Sequence, residues 1–288
     1  MMSNFSFTVE IAGVSIHFEA PRVMEIPPEL KPFVTNNTMA QEVYRIELIH
    51  DPIIFDTSPC YTSTGLNVYS IEGATYREFS HLKAADGCIP VCCLRNTGDH
   101  TLYIPAIDWE HYERNCTLSV LLGPEELFLR HNGFILHSSV VMYEGYALVF
   151  CGASGAGKST QAQLWQDYRH GEILNGDRCI IMKRGDLFYG CGSPYCGSSG
   201  LYRRETAPIC AIVLPVKAEE NRIERLKPEE AFRKLYREAL VNLWDTRFIN
   251  TLFDLLQELV VRVPVYSLYC RPDEQATELT RQAVFGGE

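Results

Sequence analysis

Residues 134–165 read FILHSSVVMYEGYALVFCGASGAGKSTQAQLW, and the parsing of this stretch decides what kind of fold the chain can have. Two apolar runs, FILHSSVVM and YALVF, flank Glu144-Gly145, a dipeptide suited to a tight turn, so they read as the arms of a β-hairpin. The second arm leads directly into Gly152 to Ser159, which satisfies G-x-x-x-x-G-K-[ST], and TQAQLW continues as a helix. In such a loop glycines let successive backbone N–H groups turn inward around phosphate oxygens, and the helix start adds free amides and the positive end of a dipole. Gly152, Ala153, Ser154, Gly155, Ala156, Gly157, Lys158, Ser159 and Thr160 are therefore the candidate nucleotide-binding residues. Lys158 suits the β- and γ-phosphates, and the Ser159 hydroxyl suits Mg²⁺. A glycine-rich strand-to-helix turn with a solvated lysine is the plainer alternative. The hairpin is the informative part. Most phosphate-loop and dinucleotide folds reach the loop through parallel βαβ crossovers, whereas this pattern pairs the entering strand antiparallel with its predecessor.

Working outward, the helix runs to about Tyr168 with Gly171 as its stop, and EILNGDRCIIMKRGDLFYGCG gives a short strand, a turn at Asp177 and a hairpin around Gly185-Asp186. A strand over Cys210 to Val216 follows. Phe232, Leu235, Tyr236, Ala239, Leu240 and Leu243 lie at helical spacing, as do Phe248, Leu252, Leu255, Leu256 and Leu259, before a strand VYSLYC and a helix from about Asp273. Upstream, Leu118 to Leu122 reads as a strand, and GPEELFLRHNG as a helix with Pro124 in its first turn. The first hundred residues alternate apolar and polar positions: Phe5, Phe7, Val9 and Ile11, a turn at Ala12-Gly13, then Val14, Ile16 and Phe18. The pattern returns at Tyr44, Ile46 and Leu48, around Glu72-Gly73 and on either side of Asn96 to Asp99, which predicts an antiparallel N-terminal sheet. With a boundary near Pro105 and AIDWEHYERNC, residues 1–110 form a β-rich domain and residues 111–288 a second domain.

Composition narrows the function classes. At 288 residues, 46% hydrophobic and 22% charged, the chain is an ordinary globular protein of one or two domains. Its net charge of −10, with no basic run, argues against nucleic-acid or anionic-membrane partners. MMSNFSFTVEIAG has no Lys or Arg and no continuous apolar run, so it is not read as a secretory signal. The cysteines are eleven, an odd number without a regular framework, which reads as reduced thiols in a cytoplasmic protein. Cys191 and Cys196 invite a metal reading, but a zinc site needs two further ligands at suitable spacing, and none is found.

Holding a triphosphate does not by itself define a reaction; transfer also needs charge compensation and a group to orient or deprotonate the acceptor. Asp177, after an apolar strand, suits a metal ligand or a base, although Asn175-Gly176-Asp177 is also an ordinary turn composition. His137 lies in LHSSVV on the strand paired with the one entering the loop; a histidine among apolar residues is more often a satisfied core residue than a catalyst. GCGSPYCGSSGLYRRETAP is rich in glycine and serine and ends on Arg203 and Arg204, so it reads either as a mobile loop carrying a cation to the phosphate or as a surface loop.

The order LHSSVV, hairpin, GASGAGKST, helix, ILNGDRCII resembles the C-terminal catalytic domain of HPr kinase/phosphorylase and its relatives, within the phosphoenolpyruvate-carboxykinase-like superfamily, over about residues 118–285. The resemblance implies an α/β (α+β) phosphate-loop core with a largely antiparallel or mixed sheet, preceded here by a β-rich N-terminal part like that of smaller relatives that phosphorylate serine on precursor peptides. It implies that His137 helps orient the phosphate and the acidic pair, that Lys158 and Ser159 serve the nucleotide and Mg²⁺, and that Asp177 acts on the seryl hydroxyl. Gly176 stands where the first of two aspartates is found in the family, so Asp177 serves as metal ligand and base together, or Asn175 assists. Arg204 or Arg203 takes the place of a family arginine near the transferred phosphate. The Glu-x-Arg-Gly-Leu-Gly-like segment linked to dephosphorylation has no counterpart, so neither phosphorylase activity nor HPr as substrate is expected. The expected function is an ATP- and Mg²⁺-dependent kinase acting on a hydroxyl, foremost serine of a peptide or small protein, with catalytic residues Asp177, His137, Lys158 and Arg204 and metal ligands Ser159 and Asp177. A small-molecule kinase for a sugar, nucleoside or amino acid is the nearer alternative, and a catalytically impaired nucleotide-binding regulatory protein the further one. An Asn-Lys-x-Asp guanine-reading segment is missing from the sequence. The N-terminal part is expected to bind substrate, and a homo-oligomer is left open.

Overall fold

The computed structural model describes residues 5–37, 39–114, 117–195, 197, 200–201 and 203–286. The chain is a mixed α/β protein with two large mixed sheets and seven α-helices among the described residues, and it divides into two compact units, Met1–Leu127 and Phe128–Glu288.

The first unit contains β1 (Phe5–Ile11), β2 (Val14–Ala20), β3 (Val34–Thr35), β4 (Glu42–Ile49), β5 (Tyr61–Ser63), β6 (Leu66–Ile71), β7 (Ala74–Glu78), β8 (Val91–Arg95) and β9 (Asp99–Pro105). They form one sheet in the order β3-β1-β2-β4-β9-β8-β7-β6-β5. The hairpin at Ala12-Gly13 places Phe7 opposite Phe18 and Val9 opposite Ile16, and the two phenylalanine rings stack at 4.8 Å. The sheet is not antiparallel throughout, because β4 runs parallel to both β2 and β9. Alternation marks which residues face a core and carries no information on strand direction; the long connection from β2 to β4 lets the chain re-enter from the same end.

Helices α1 (Trp109–Arg114), α2 (Thr117–Leu121) and α3 (Pro124–Arg130) follow. Residues 118–122, expected as a strand, are thus mostly helical. Leu118, Leu121 and Leu122 are fully buried while Val120 is 39% exposed. This is the i, i+3, i+4 spacing of a helix face, which a five-residue apolar run does not distinguish from a strand.

The second unit comprises β10 (Gly133–Tyr143), β11 (Tyr146–Cys151), α4 (Lys158–Arg169), β12 (Glu172–Asn175), β13 (Arg178–Arg184), β14 (Leu187–Cys191), β15 (Thr206–Lys217), β16 (Arg222–Arg225), α5 (Pro228–Tyr236), α6 (Thr246–Arg262), β17 (Val265–Cys270) and α7 (Glu274–Phe285). Its strands run β11-β10-β13-β14-β15-β17-β16, with β12 on β10 and β11 also parallel to β15, so that β11, β10, β13, β14 and β15 close into a ring. Val140, Val149, Cys179 and Ile212 lie in the core of that ring together with Leu235 of α5 and Leu252, Leu256 and Leu259 of α6. A separate cluster, with Leu148, Phe150 and Leu268 from the strands, packs against Trp165 of α4 and Ala276 of α7. Asp245 caps α6 by accepting from the Arg247 and Phe248 N–H groups.

Helix α5 stops at Tyr236 instead of running on through Leu243. Residues 238–240 lie along β10: the His137 N–H donates to the Glu238 carbonyl at 2.9 Å, and the Leu240 N–H to the Ile135 carbonyl at 3.0 Å. β11 begins pairing with β10 only at Ser138. The preceding edge of β10 carries buried backbone groups that need partners, and that demand outweighs the helical spacing of Ala239 and Leu240. Cys196, the second half of the metal reading with Cys191, lies outside the described residues. No described helix is long and apolar enough to cross a membrane.

Candidate active site

β10 changes partner at one point. Along one edge residues 238–240 lie against it up to His137, and β11 pairs with it from Ser138 onward, Ser138 opposite Cys151. Along the other edge β12 and β13 are both registered on β10 but are separated by Gly176 and Asp177. This break is held by the Ser138 N–H donating to the Asp177 carbonyl at 2.8 Å and the Ser139 hydroxyl to the Gly176 carbonyl at 2.9 Å. An interruption of this kind releases a side chain from the pleat and re-aims it. Here it brings an Asp177 carboxylate oxygen to 3.1 Å from His137 Nε2, with the two side chains 32% and 30% exposed.

The end of β11 leads into the glycine loop beside this pair. Gly152 and Gly157 bound the loop with φ of 153° and 104°, values that a residue with a Cβ adopts only under strain. Gly157 is also the N-terminal flank of α4, which has no side-chain cap, so the first amides of a twelve-residue helix are open to a ligand. Ala153, Ser154, Gly155, Ser159 and Thr160 are exposed, and Gly152, Ala156 and Gly157 half-buried. Lys158 is buried at 6% exposure, and its ammonium folds back across the loop to donate to the Gly152 carbonyl at 2.7 Å and the Ala153 carbonyl at 3.1 Å. Burial lowers its pKa, and the negative charges of Glu238 and Asp177 act in the opposite direction. Burial likewise pushes the neighbouring Cys151 thiol up, away from the reactive thiolate.

The structure brings His137 and Asp177 into contact and places Lys158 within the field of Asp177. Asn175 is fully buried: its Oδ1 accepts from the Asp177 and Arg178 N–H groups at 2.9 and 2.8 Å, and its Nδ2 donates to Ser193 Oγ at 2.9 Å and the Tyr195 carbonyl at 3.2 Å. It ties the Asp177 turn to the segment after β14 and has no free oxygen facing a metal. Arg203 pairs with Glu172 at 3.3 Å, and Arg204 is exposed just before β15.

Three residues near Asp177 escaped the sequence reading. Arg178 stands 3.8 Å from its carboxylate, and Glu238 Oε2 lies 3.6 Å from His137 Nδ1. Gly197 lies against the Asp177 side chain so closely that a Cβ there would come within 2.7 Å of Oδ2. Arg178 could have been noticed as the neighbour of Asp177 in sequence. Glu238 and Gly197 carry no local signal, since only the pairing of distant segments brings them here.

No protein-family model matches the chain, and no curated protein matches its sequence. Among solved structures the chain is similar to one described as the Hpr(Ser) kinase/phosphatase from Coxiella burnetii. That match covers 53% of this chain and 97% of that one, at 12% identity and a TM-score of 0.32, a distant structural similarity that by itself assigns neither activity nor substrate.

Proposed function

We propose that the chain is an ATP- and Mg²⁺-dependent kinase that transfers the γ-phosphoryl group to a hydroxyl, foremost serine of a peptide or small protein. The observation that carries this reading is the half-exposed His137–Asp177 pair beside a strand, glycine loop and helix whose lysine is buried in the loop. Asp177 accepts the proton of the acceptor hydroxyl as its oxygen attacks the γ-phosphorus; the bond to the β–γ bridging oxygen breaks and ADP leaves with that electron pair. His137 holds the Asp177 carboxylate in place. Lys158 and the open amides of α4 compensate the phosphate charge, and phosphate oxygens replace the loop carbonyls that the ammonium now touches. Arg204 or Arg178 supplies a further cation to the transferred group.

The donors suit Mg²⁺. Among the described residues no group of three or more His, Cys, Asp or Glu could hold a metal alone. Mg²⁺ commonly takes one or two protein oxygens and completes its shell with substrate phosphates and water, and Asp177 and Ser159 are hard oxygen donors of this kind. Bound there, it would neutralise charge on the β- and γ-phosphates.

The test uses labelled ATP with a library of serine-containing peptides, and a parallel set of sugars, nucleosides and amino acids as free acceptors. Lys158→Ala and Asp177→Asn are each expected to lower transfer by about 10³-fold, the scale of losing one preorganised charge-stabilising or base group. Transfer unchanged in Asp177→Asn would sink the mechanism. Transfer to the free metabolites alone would move the chain to small-molecule kinases, and tight ATP binding with no transfer to any acceptor would make it a nucleotide-binding regulatory protein.

A further inference from the structure

Glu238, like Gly197, is a residue of the site that no sequence pattern pointed to. Its carbonyl accepts the His137 N–H at 2.9 Å as part of the pairing of residues 238–240 with β10. Its carboxylate, only 16% exposed, comes to 3.6 Å from His137 Nδ1, while Asp177 faces Nε2 at 3.1 Å. The imidazole is therefore bracketed by two carboxylates delivered from opposite edges of one strand. The charge of Glu238 also reaches Lys158 and Cys151 at the start of the glycine loop.

From this geometry we infer that Glu238 is the second carboxylate of the site, a positioning residue that holds the His137 ring from behind so that Nε2 stays aimed at Asp177. The inference rests on the kinase reading of Asp177 and the glycine loop. A carboxylate behind one ring nitrogen fixes the orientation of an imidazole, and its removal leaves the front nitrogen free to wander from its partner. The fold does not need this side chain. The 238–240 segment is held by its backbone, through the Glu238 carbonyl, the Leu240 N–H and the pairing of Leu136 with Ala239, none of which a change of side chain at 238 removes. Gly176 offers no side chain of its own, so Glu238 is also what makes the site a two-carboxylate site.

The test combines two measurements on the full chain. Long-range ¹H–¹⁵N spectra of protein labelled at histidine, with His137→Gln to assign the ring, are compared for the wild type, Glu238→Gln and Glu238→Ala. Steady-state hydrolysis of MgATP, with water as acceptor, is measured for the same proteins and for Glu238→Asp. The His137 ring nitrogens are expected to move in both variants while the other histidine signals stay. In Glu238→Ala the kcat falls at least about tenfold with KM for MgATP within about twofold of wild type, and Glu238→Asp recovers part of the loss. His137 signals that stay put in both variants, or an unchanged kcat in Glu238→Ala beside an active wild type, would overturn the inference. A wild type that neither binds nor hydrolyses MgATP, with His137 signals that still respond to Glu238, defeats the kinase reading and retains Glu238 as the anchor of the ring.

Discussion

The chain sets a histidine against a carboxylate in each of its two units, and the two pairs are built to opposite specifications. In the first unit His100 Nε2 meets Glu42 at 2.6 Å with side chains 0% and 4% exposed. The other ring nitrogen, Nδ1, accepts the Arg95 N–H at 3.1 Å, and the Tyr44 ring packs at 4.5 Å. In the second unit His137 meets Asp177 with roughly a third of each side chain in solvent, and Asp177 sits in a break of the sheet beside a loop with open amides. A sealed and saturated pair has no lone pair or proton to offer a ligand, and its role ends with stability. The open pair contributes little to stability, as exposed ion pairs do, and keeps its polar atoms available for chemistry.

Truncation should break the sealed pair hardest. Glu42→Ala leaves the buried His100 Nε2–H without its acceptor and opens a cavity beside it. It is expected to cost about 3 kcal/mol of unfolding free energy, read by urea denaturation, while MgATP affinity of the folded protein stays at the wild-type value. A loss of nucleotide affinity without a loss of stability would mean that the two pairs do not divide their roles in this way.

The next largest effect concerns the residue packed against the open pair. Gly197, at φ +55°, lies against the Asp177 carboxylate, and an added methyl group must displace either the loop or the carboxylate. Gly197→Ala is expected to lower phosphoryl transfer by about tenfold while unfolding free energy drops by no more than about 1 kcal/mol, since the residue is exposed. Transfer at the wild-type rate would show that the close approach of residue 197 to Asp177 plays no part in the reaction.

The open pair was the more legible of the two in the sequence. The hairpin before the glycine loop, the loop and α4 are each written in contiguous residues, and all three form where the pattern places them. Asp177 was legible as a turn residue after an apolar strand. The direction of β4 was not, because a parallel neighbour leaves the same alternation as an antiparallel one. Glu238 was hidden more deeply. It sits in a stretch whose apolar residues keep helical spacing, and only the unpaired edge of β10, contributed by residues about a hundred positions earlier, pulls that stretch out of the helix. The Glu42–His100 pair was missed for the same reason, since the strands that carry its two members are brought side by side only by the sheet order.

The smallest stability effect makes the sharpest contrast, because one chemical change can be made in both pairs. Replacing a carboxylate by its amide keeps shape and an acceptor oxygen but removes the charge and basicity. At Glu42 the acceptor is all that the partner requires: His100 Nδ1 already accepts from Arg95, so Nε2 carries the proton, and the amide oxygen left by Glu42→Gln can accept it. Glu42→Gln is therefore expected to cost no more than about 1 kcal/mol, well below the alanine variant, and to leave turnover unchanged. Asp177→Asn makes the same exchange where the proposed reaction needs a base, and an amide cannot take up the acceptor proton. Its unfolding free energy should stay within about 0.5 kcal/mol of wild type, as for an exposed pair, while transfer collapses. If instead Glu42→Gln proves as costly as Glu42→Ala, the sealed pair requires its charge, and burial alone no longer separates the structural histidine from the one in the proposed site.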